Sequence, residues 1–149
     1  MAQFNSDSHE GLSNLPTNSH AGMKMAHRCA VIFPVAAALA IGDKLVLGQL
    51  PPGYTIDAAK ADSDGIAGLT VKLVQADSLA DDAEELTLAT DVSLAAAGQV
   101  AATLPLNAVR FKGVDTPLYL VAEVTAGGSV TAGQEVGITF EYRYRQVTY

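Results

Sequence analysis

The sequence predicts an all-β protein: a β-sandwich or jelly-roll-like domain of about eight strands, preceded by an extended N-terminal arm. Two observations carry this prediction. From about residue 29 onward, apolar and polar residues alternate with the period of two that half-buried strands show. Clusters of Gly and Pro separate these runs at the short spacing typical of a sandwich or barrel, and no long amphipathic helical pattern occurs.

The first half of the domain contains four candidate strands. The run 28–35 is largely apolar, as a buried strand would be. Strands 44–50 and 54–61 flank a Pro-Pro-Gly sequence at 51–53, which is typical of a tight turn. Strand 68–76 follows, with leucine and valine on alternate positions. These four segments predict a succession of short strands joined by tight turns.

The second half contains the remaining candidate strands, at 85–90, 99–104, 108–112, 118–124 and 136–145. In the third of these, Val109 and Phe111 are expected to point inward. The last strand has the cleanest alternation, with its apolar face formed by Val136, Ile138, Phe140, Tyr142 and Tyr144. With 49% hydrophobic and 17% charged residues, one domain of this length has enough apolar surface for a core.

Residues 1–28 differ from the rest, being rich in Ser, Asn, His and Gly without a lasting period. We expect this arm to be disordered when free and to order on an assembly, while residues 29–149 form the β-sandwich domain. Fully extended, the arm would reach roughly 90–100 Å, enough to cross a neighbouring subunit. The candidate partner-contact residues are its isolated apolar side chains and two C-terminal tyrosines: Phe4, Leu12, Leu15, Met23, Met25, Tyr144 and Tyr149.

The composition argues against nucleic acid and membrane as partners. The net charge is −7 and the pI is about 4.7, so the surface would be repelled by phosphate backbones. The apolar run 29–41 is shorter than the roughly 20 residues that a spanning helix needs. Cys29 is the single cysteine, which excludes an intrachain disulfide and favours a buried thiol in a protein made in the cytoplasm.

No residue pattern indicates a catalytic, cofactor or metal site. The Asp-Ser-Asp-Gly sequence at 62–65 resembles the start of a calcium loop, but the later glutamate ligand is missing, which favours an acidic turn. The acidic segment 77–85 indicates a solvated loop, with weak divalent-ion binding left open. His9, His20 and His27 are too widely spaced for a zinc site. We therefore expect a protein that is not an enzyme.

Three stretches resemble small virion structural proteins of tailed bacteriophages, particularly capsid decoration (cement) proteins. They are 42–56 with its Leu-Pro-Pro-Gly turn between two strands, 68–76 with the acidic loop that follows, and 117–145 with its Tyr-rich final strand. The resemblance implies a β-sandwich on the outer capsid surface that stabilises the head. It also implies contacts with the major capsid protein and with copies of itself, most often in a trimer, and an arm lying over a neighbour.

Two alternative functions remain open from the sequence. A tail, collar or fibre-attachment component of the virion would have the same composition and fold, and copy number per particle would separate it from a head-surface protein. A carbohydrate-binding β-sandwich module would need an aromatic platform, for which Tyr54 and Tyr119 are the candidates outside the last strand.

Overall fold

The structure is a computed structural model that describes residues 2–7, 15–17, 24–111 and 113–145. Within these ranges the chain forms eleven strands and one short helix, which confirms the all-β prediction. The strands are β1 Gln3–Asn5, β2 Met25–Ile32, β3 Ala37–Leu39, β4 Lys44–Leu50, β5 Tyr54–Ser63, β6 Thr70–Ala76, β7 Glu85–Ser93, β8 Gly98–Ala102, β9 Leu118–Ala126, β10 Gly128–Val130 and β11 Glu135–Tyr144. The helix, α1, spans Leu106–Arg110.

The long strands form two sheets that enclose the core between them. One sheet has five strands in the order β1-β4-β9-β6-β7, and the other has four in the order β2-β11-β5-β8. All pairings in these sheets are antiparallel except that of β1 with β4, which is parallel. A further two-stranded pair, β10-β3, lies at one end. This arrangement is a β-sandwich-like fold, as the sequence predicts.

β11 is the centre of the four-stranded sheet and shows why alternation predicts a strand. It pairs with β2 on one side and β5 on the other. The four residues of its inward face have no exposed surface: Val136, Ile138, Phe140 and Tyr142. Burying side chains of this size is worth roughly 1.5–3 kcal/mol each, so this strand contributes strongly to the stability of the sandwich.

β4 lies between β1 and β9 in the five-stranded sheet and contains a bulge. Its register against β9 shifts between Val46 and Gly48, so that Leu47 is the extra residue. Three leucines belong to the core: Leu45 before the bulge, Leu47 in it and Leu50 after it. The bulge thus lets the strand keep its leucines buried although their spacing changes from two to three residues.

The outer face of the five-stranded sheet is covered by the chain itself. Val46, Val121 and Val74 lie in one row across β4, β9 and β6, and none is more than 2% exposed. The segment 77–84, which joins β6 to β7, lies over this face. Its acidic residues are exposed, as the sequence predicts, and its contact with β4 is made through backbone carbonyls.

Lys44 holds the segment 77–84 in place. Its side chain is only 6% exposed, and its Nζ donates hydrogen bonds of 3.2 Å to the carbonyl oxygens of Leu79 and Ala80. The exposed Asp81 carboxylate lies 4.0 Å away and supplies the opposite charge. Since a buried ammonium group needs both hydrogen bonds and a counter-charge, this contact links the segment 77–84 firmly to β4.

The prediction of a strand at 108–112 is wrong, because helix α1 extends through residue 110. The amides of Ala108 and Val109 both donate to the Pro105 carbonyl, as in a helical turn that begins after a proline. Ala108 is the buried residue of the helix, and Val109 is 45% exposed rather than inward. Five residues of alternating polarity fit a helical turn as well as a strand, so periodicity alone could not separate them.

Candidate partner-contact surfaces

The first described residues of the chain lie on its own domain. β1 pairs with β4 in register from Gln3 opposite Lys44 to Asn5 opposite Val46. The Ser6 amide continues the ladder by donating to the Val46 carbonyl at 2.8 Å, and its hydroxyl donates to a second β4 carbonyl. β1 therefore covers what would otherwise be the unpaired edge of β4.

Two aspartates connect this segment to both sheets. The Asp43 carboxylate accepts hydrogen bonds from the amides of Ala2 at 3.1 Å and Ala40 at 2.9 Å. The Asp7 carboxylate accepts one from the amide of Ala30, in β2, at 3.0 Å. Because β4 and β2 belong to different sheets, residues 2–7 bridge the sandwich along one of its sides.

Leu15 lies deeper in the molecule, while Pro16 beside it is exposed. The Leu15 amide donates to the Gln49 carbonyl at 2.9 Å, and its side chain is 1% exposed and part of the core. The Pro16 carbonyl accepts a hydrogen bond from the Tyr142 hydroxyl. Burial raises the pKa of that hydroxyl to about 12, so it stays protonated and remains a donor.

The predicted partner-contact residues therefore fall into different environments. Leu15 is in the core, while Phe4 and Met25 are partly buried against it. The Phe4 ring also packs edge-to-face on Phe33, with centroids 5.5 Å apart. Tyr144 is 36% exposed, with its ring against that of Tyr54 at 5.6 Å. Outside the described residues lie the other three: Leu12, Met23 and Tyr149.

The predicted boundary between arm and domain, at residue 28, falls within strand β2. β2 begins at Met25, so the last residues of the predicted arm are the first residues of a long strand. In β2, His27 pairs with Phe140 and Arg28 pairs with Thr139 of β11. In this stretch Ala26 and Arg28 are exposed while Met25 and His27 are partly buried, and an alternation over four residues is too short to detect in the sequence.

Three large apolar side chains are exposed at the end of the sandwich where β2 finishes. Ile32 is 59% exposed, Val35 65% and Ile41 74%, and we call this group the 32–41 patch. The sequence predicts a buried strand at 28–35, so the exposure of Ile32 and Val35 differs from that expectation. The available signal was the position of these three residues beside Pro34 and Gly42, where the backbone turns at the surface.

A second group of exposed apolar side chains lies at the opposite end of the sandwich. The group consists of Leu106 at 60%, Val109 at 45%, Val114 at 38% and Tyr144 at 36% exposed, and we call it the 106–144 patch. Gly53 holds it together: its amide donates to Val114 at 2.8 Å, and its carbonyl accepts from the amide of Arg145 at 2.9 Å. The Arg145 guanidinium in turn donates to the Val109 carbonyl at 2.8 Å.

The outer face of the four-stranded sheet carries a charge cluster. The Arg28 guanidinium bonds the two carboxylate oxygens of Asp62 at 2.9 and 2.5 Å, and it bonds Glu135 at 2.8 Å. It lies flat over Gly137, where a Cβ would overlap it. The hydrogen bonds that Arg28 donates to Asp62 lower the pKa of that carboxyl, and its bonds to Asp62 and Glu135 raise the pKa of Arg28 itself. This face is therefore charged and ordered.

The described residues contain no group of three His, Cys, Asp or Glu side chains that could hold a metal ion. In the same part of the chain, no helix is long and apolar enough to cross a membrane. Cys29 is a buried thiol in β2. His27 also lies in this strand, while His9 and His20 fall outside the described residues.

Comparisons with known proteins give a likeness in fold. No family model and no curated protein matches the chain. A chain in the solved structure of the capsid of Ralstonia phage GP4 is similar to it, with a TM-score of 0.78 and 23% sequence identity. The likeness covers 99% of this chain and 100% of that one, so it extends over the entire domain. The two chains therefore share this β-sandwich-like fold.

Proposed function

We propose that this protein is a non-enzymatic structural component of a tailed-phage virion that binds the outer surface of the capsid and stabilises the head. The observation that carries the proposal is the likeness to a chain in the capsid of a phage, over almost the full length of both chains. The major capsid protein and further copies of this chain are its proposed partners, with a trimer as the favoured assembly.

The apolar patches support a protein that works by attachment. Ile32, Val35 and Ile41 are each more than half exposed, and a concentration of large apolar side chains at one end of a domain favours a contact surface there. Among the described residues, the large apolar side chain with the highest exposure also belongs to this patch: Ile41 at 74%. We propose that this patch faces the capsid.

The geometry of a capsid makes weak contacts sufficient. Each patch offers only a few apolar side chains, so a single site would bind modestly. A subunit that touches two capsomers at once, or that associates with copies of itself, gains effective affinity without new kinds of contact. Such a protein would stabilise the lattice by linking neighbours and would need no enzymatic step.

Deletion of the predicted arm is a poor test of this proposal. Deleting residues 1–28 would remove the buried Leu15 and the first residues of β2, and would damage the fold itself. Point variants are cleaner. We would measure co-sedimentation of the full chain, of Ile41→Glu and of the matched control Leu106→Glu with purified heads that lack this protein. Both substitutions place a charge at a largely exposed site, at opposite ends of the sandwich.

The proposal predicts that the full chain and Leu106→Glu bind heads, and that Ile41→Glu binds at least about tenfold more weakly, since the charge must be desolvated. The reverse order would place the contact on the 106–144 patch. If the unmodified chain does not bind heads, the capsid proposal fails. A tail, collar or fibre-attachment role would then be tested by counting copies per virion.

A further inference from the structure

A pocket of about 320 Å³ opens at the end of the sandwich where β6 leads into the segment 77–84. It lies between the inner face of the five-stranded sheet and the loop that follows α1. Its lining combines apolar with acidic residues: Leu86, Phe111 and Leu118 with Asp77, Glu84 and Glu85. This combination is typical of a site for a ligand that has both an apolar part and a positive charge.

Gln75 also lines the pocket and is its most unusual residue. It stands opposite Leu86 of β7 and Leu120 of β9, on the face of the sheet that turns to the core. The residue is 3% exposed, and neither Nε2 nor Oε1 of its amide has a hydrogen-bond partner. A buried amide that satisfies neither its donor nor its acceptor is strongly disfavoured, and native proteins rarely keep one without a reason.

The neighbouring charges define what would satisfy this amide. The segment 77–85 contains five acids and no base. The Asp77 carboxylate accepts the amide of Glu84 at 3.1 Å, which holds the two acidic residues together at the mouth of the pocket. Glu85 lies 3.6 Å from Lys72 and is partly neutralised, while no described residue forms an ion pair with Glu84. A cation in the pocket would therefore find a carboxylate ready to accept.

Among cationic groups, the guanidinium of arginine matches the lining best. Its five donors can serve the Gln75 carbonyl and a carboxylate together, whereas an ammonium acts as a point charge. Its plane can stack on the Phe111 ring, and its aliphatic stem can pack on Leu86 and Leu118. The amide NH2 of Gln75 then needs a hydrogen-bond acceptor, and a peptide carbonyl of the arginine-containing segment supplies it. The terminal torsion of glutamine is soft, so its amide can turn toward such an occupant.

We propose that this pocket binds an arginine side chain from a segment of a partner protein, with Gln75 and Glu84 as its polar contacts. The proposal is independent of the capsid function, because it concerns peptide binding by the isolated chain. Failure of head binding would leave it intact, and its own failure would leave the capsid proposal intact.

The test is a titration of the full-length, ¹⁵N-labelled protein with acetyl-Gly-Arg-Gly-amide, followed by NMR. Two further peptides serve as comparisons. In one, citrulline replaces arginine, which keeps the shape and loses the charge. In the other, lysine replaces it, which keeps the charge and loses the planar fork. We expect saturable shifts of the Gln75 side-chain amide and of backbone amides at 84–86 and 113–116. The citrulline peptide should bind at least about tenfold more weakly, with lysine between the two.

Two variants and a control complete the test. Gln75→Met removes both amide atoms at nearly constant shape and should weaken arginine binding at least about tenfold while raising the stability of the free protein. Gln99→Met, on the exposed strand β8, is the control and should bind normally. If Gln75→Met does not fold, Glu84→Gln at the exposed mouth decides, and should weaken binding several-fold.

Three results would overturn the proposal: shifts that do not saturate, equal affinity for the arginine and citrulline peptides, or binding unchanged by Gln75→Met. A water molecule that exchanges nuclear magnetisation with the Gln75 amide in the presence of saturating peptide would also overturn it, because the amide would then be satisfied by solvent.

Discussion

Replacing Leu15 tests whether the N-terminal segment is part of the fold. Its side chain is 1% exposed and lies in the core, yet it belongs to a stretch that sequence composition assigns to a disordered arm. Buried Leu→Ala substitutions cost about 2–5 kcal/mol. Because Leu15 is held by one backbone hydrogen bond to Gln49, its surroundings can partly collapse, and we expect the lower part of that range for Leu15→Ala, about 2–3 kcal/mol.

The measurement is urea unfolding followed by far-ultraviolet circular dichroism, since the chain has no tryptophan. For a domain of this size the loss corresponds to a Tm lower by roughly 5–10 °C. Leu106→Ala is the matched control, because Leu106 is 60% exposed, and its effect should stay below about 0.5 kcal/mol. Hydrogen exchange adds a second measurement on the unmodified protein, comparing the amides of Leu15 and Ile138.

Two results would refute this reasoning. If Leu15→Ala unfolds within about 0.5 kcal/mol of the unmodified protein, the side chain does not contribute to the core in solution. If the Leu15 amide exchanges orders of magnitude faster than that of Ile138, the segment opens independently of the domain. Either outcome would restore the arm as a separate element that orders only on a partner.

Three further predictions concern charged side chains. Gly137→Ala should displace the guanidinium of Arg28 and lower the free energy of unfolding by up to about 1 kcal/mol, and by less in an Arg28→Met background. Denaturation of the unmodified protein, the two single variants and the double variant would show this. Arg28 lowers the pKa of Asp62, so their contact stabilises the fold above about pH 4 and is lost as the pH falls. Asp62→Asn should therefore reduce the loss of unfolding free energy between neutral and acid pH. An unchanged loss would contradict the role of this contact. Lys44→Met should release the segment 77–84 and cost about 1–3 kcal/mol, and equal rates of cleavage there by a glutamate-specific protease would argue against the tether.

The strands of the two large sheets were largely predictable because their core-facing positions carry apolar side chains at a period of two. β11 is the clearest case: Val136, Ile138, Phe140 and Tyr142 alternate with polar residues, and each of the four is fully buried. β4 was also predicted at its observed bounds, 44–50, although its bulge was not. A bulge shifts the period by one residue, and one sequence contains too few repeats to separate that shift from noise.

The remaining elements depend on contacts between distant parts of the chain. β1 is three residues long and has no pattern of its own, since its pairing with β4 determines its conformation. Segment 108–112 has the polarity of a strand, but the turn after Pro105 makes it helical. The pocket beside Gln75 could not be predicted either, because its acidic and apolar sides come from segments that only the fold brings together.

The hydrogen bond between Pro16 and Tyr142 spans 126 positions of the chain. During synthesis the N-terminal segment leaves the ribosome first, but its partners in β4 and β11 follow much later, the last of them near the C-terminus. Contacts between such distant positions form late, because the loop between them must close first. The contacts of residues 3–6 and Leu15 with β4 can form once residue 50 has been made, whereas the contact of Pro16 with Tyr142 must wait for nearly the whole domain. The N-terminal segment is therefore docked in two steps that are separated by the synthesis of about 90 residues.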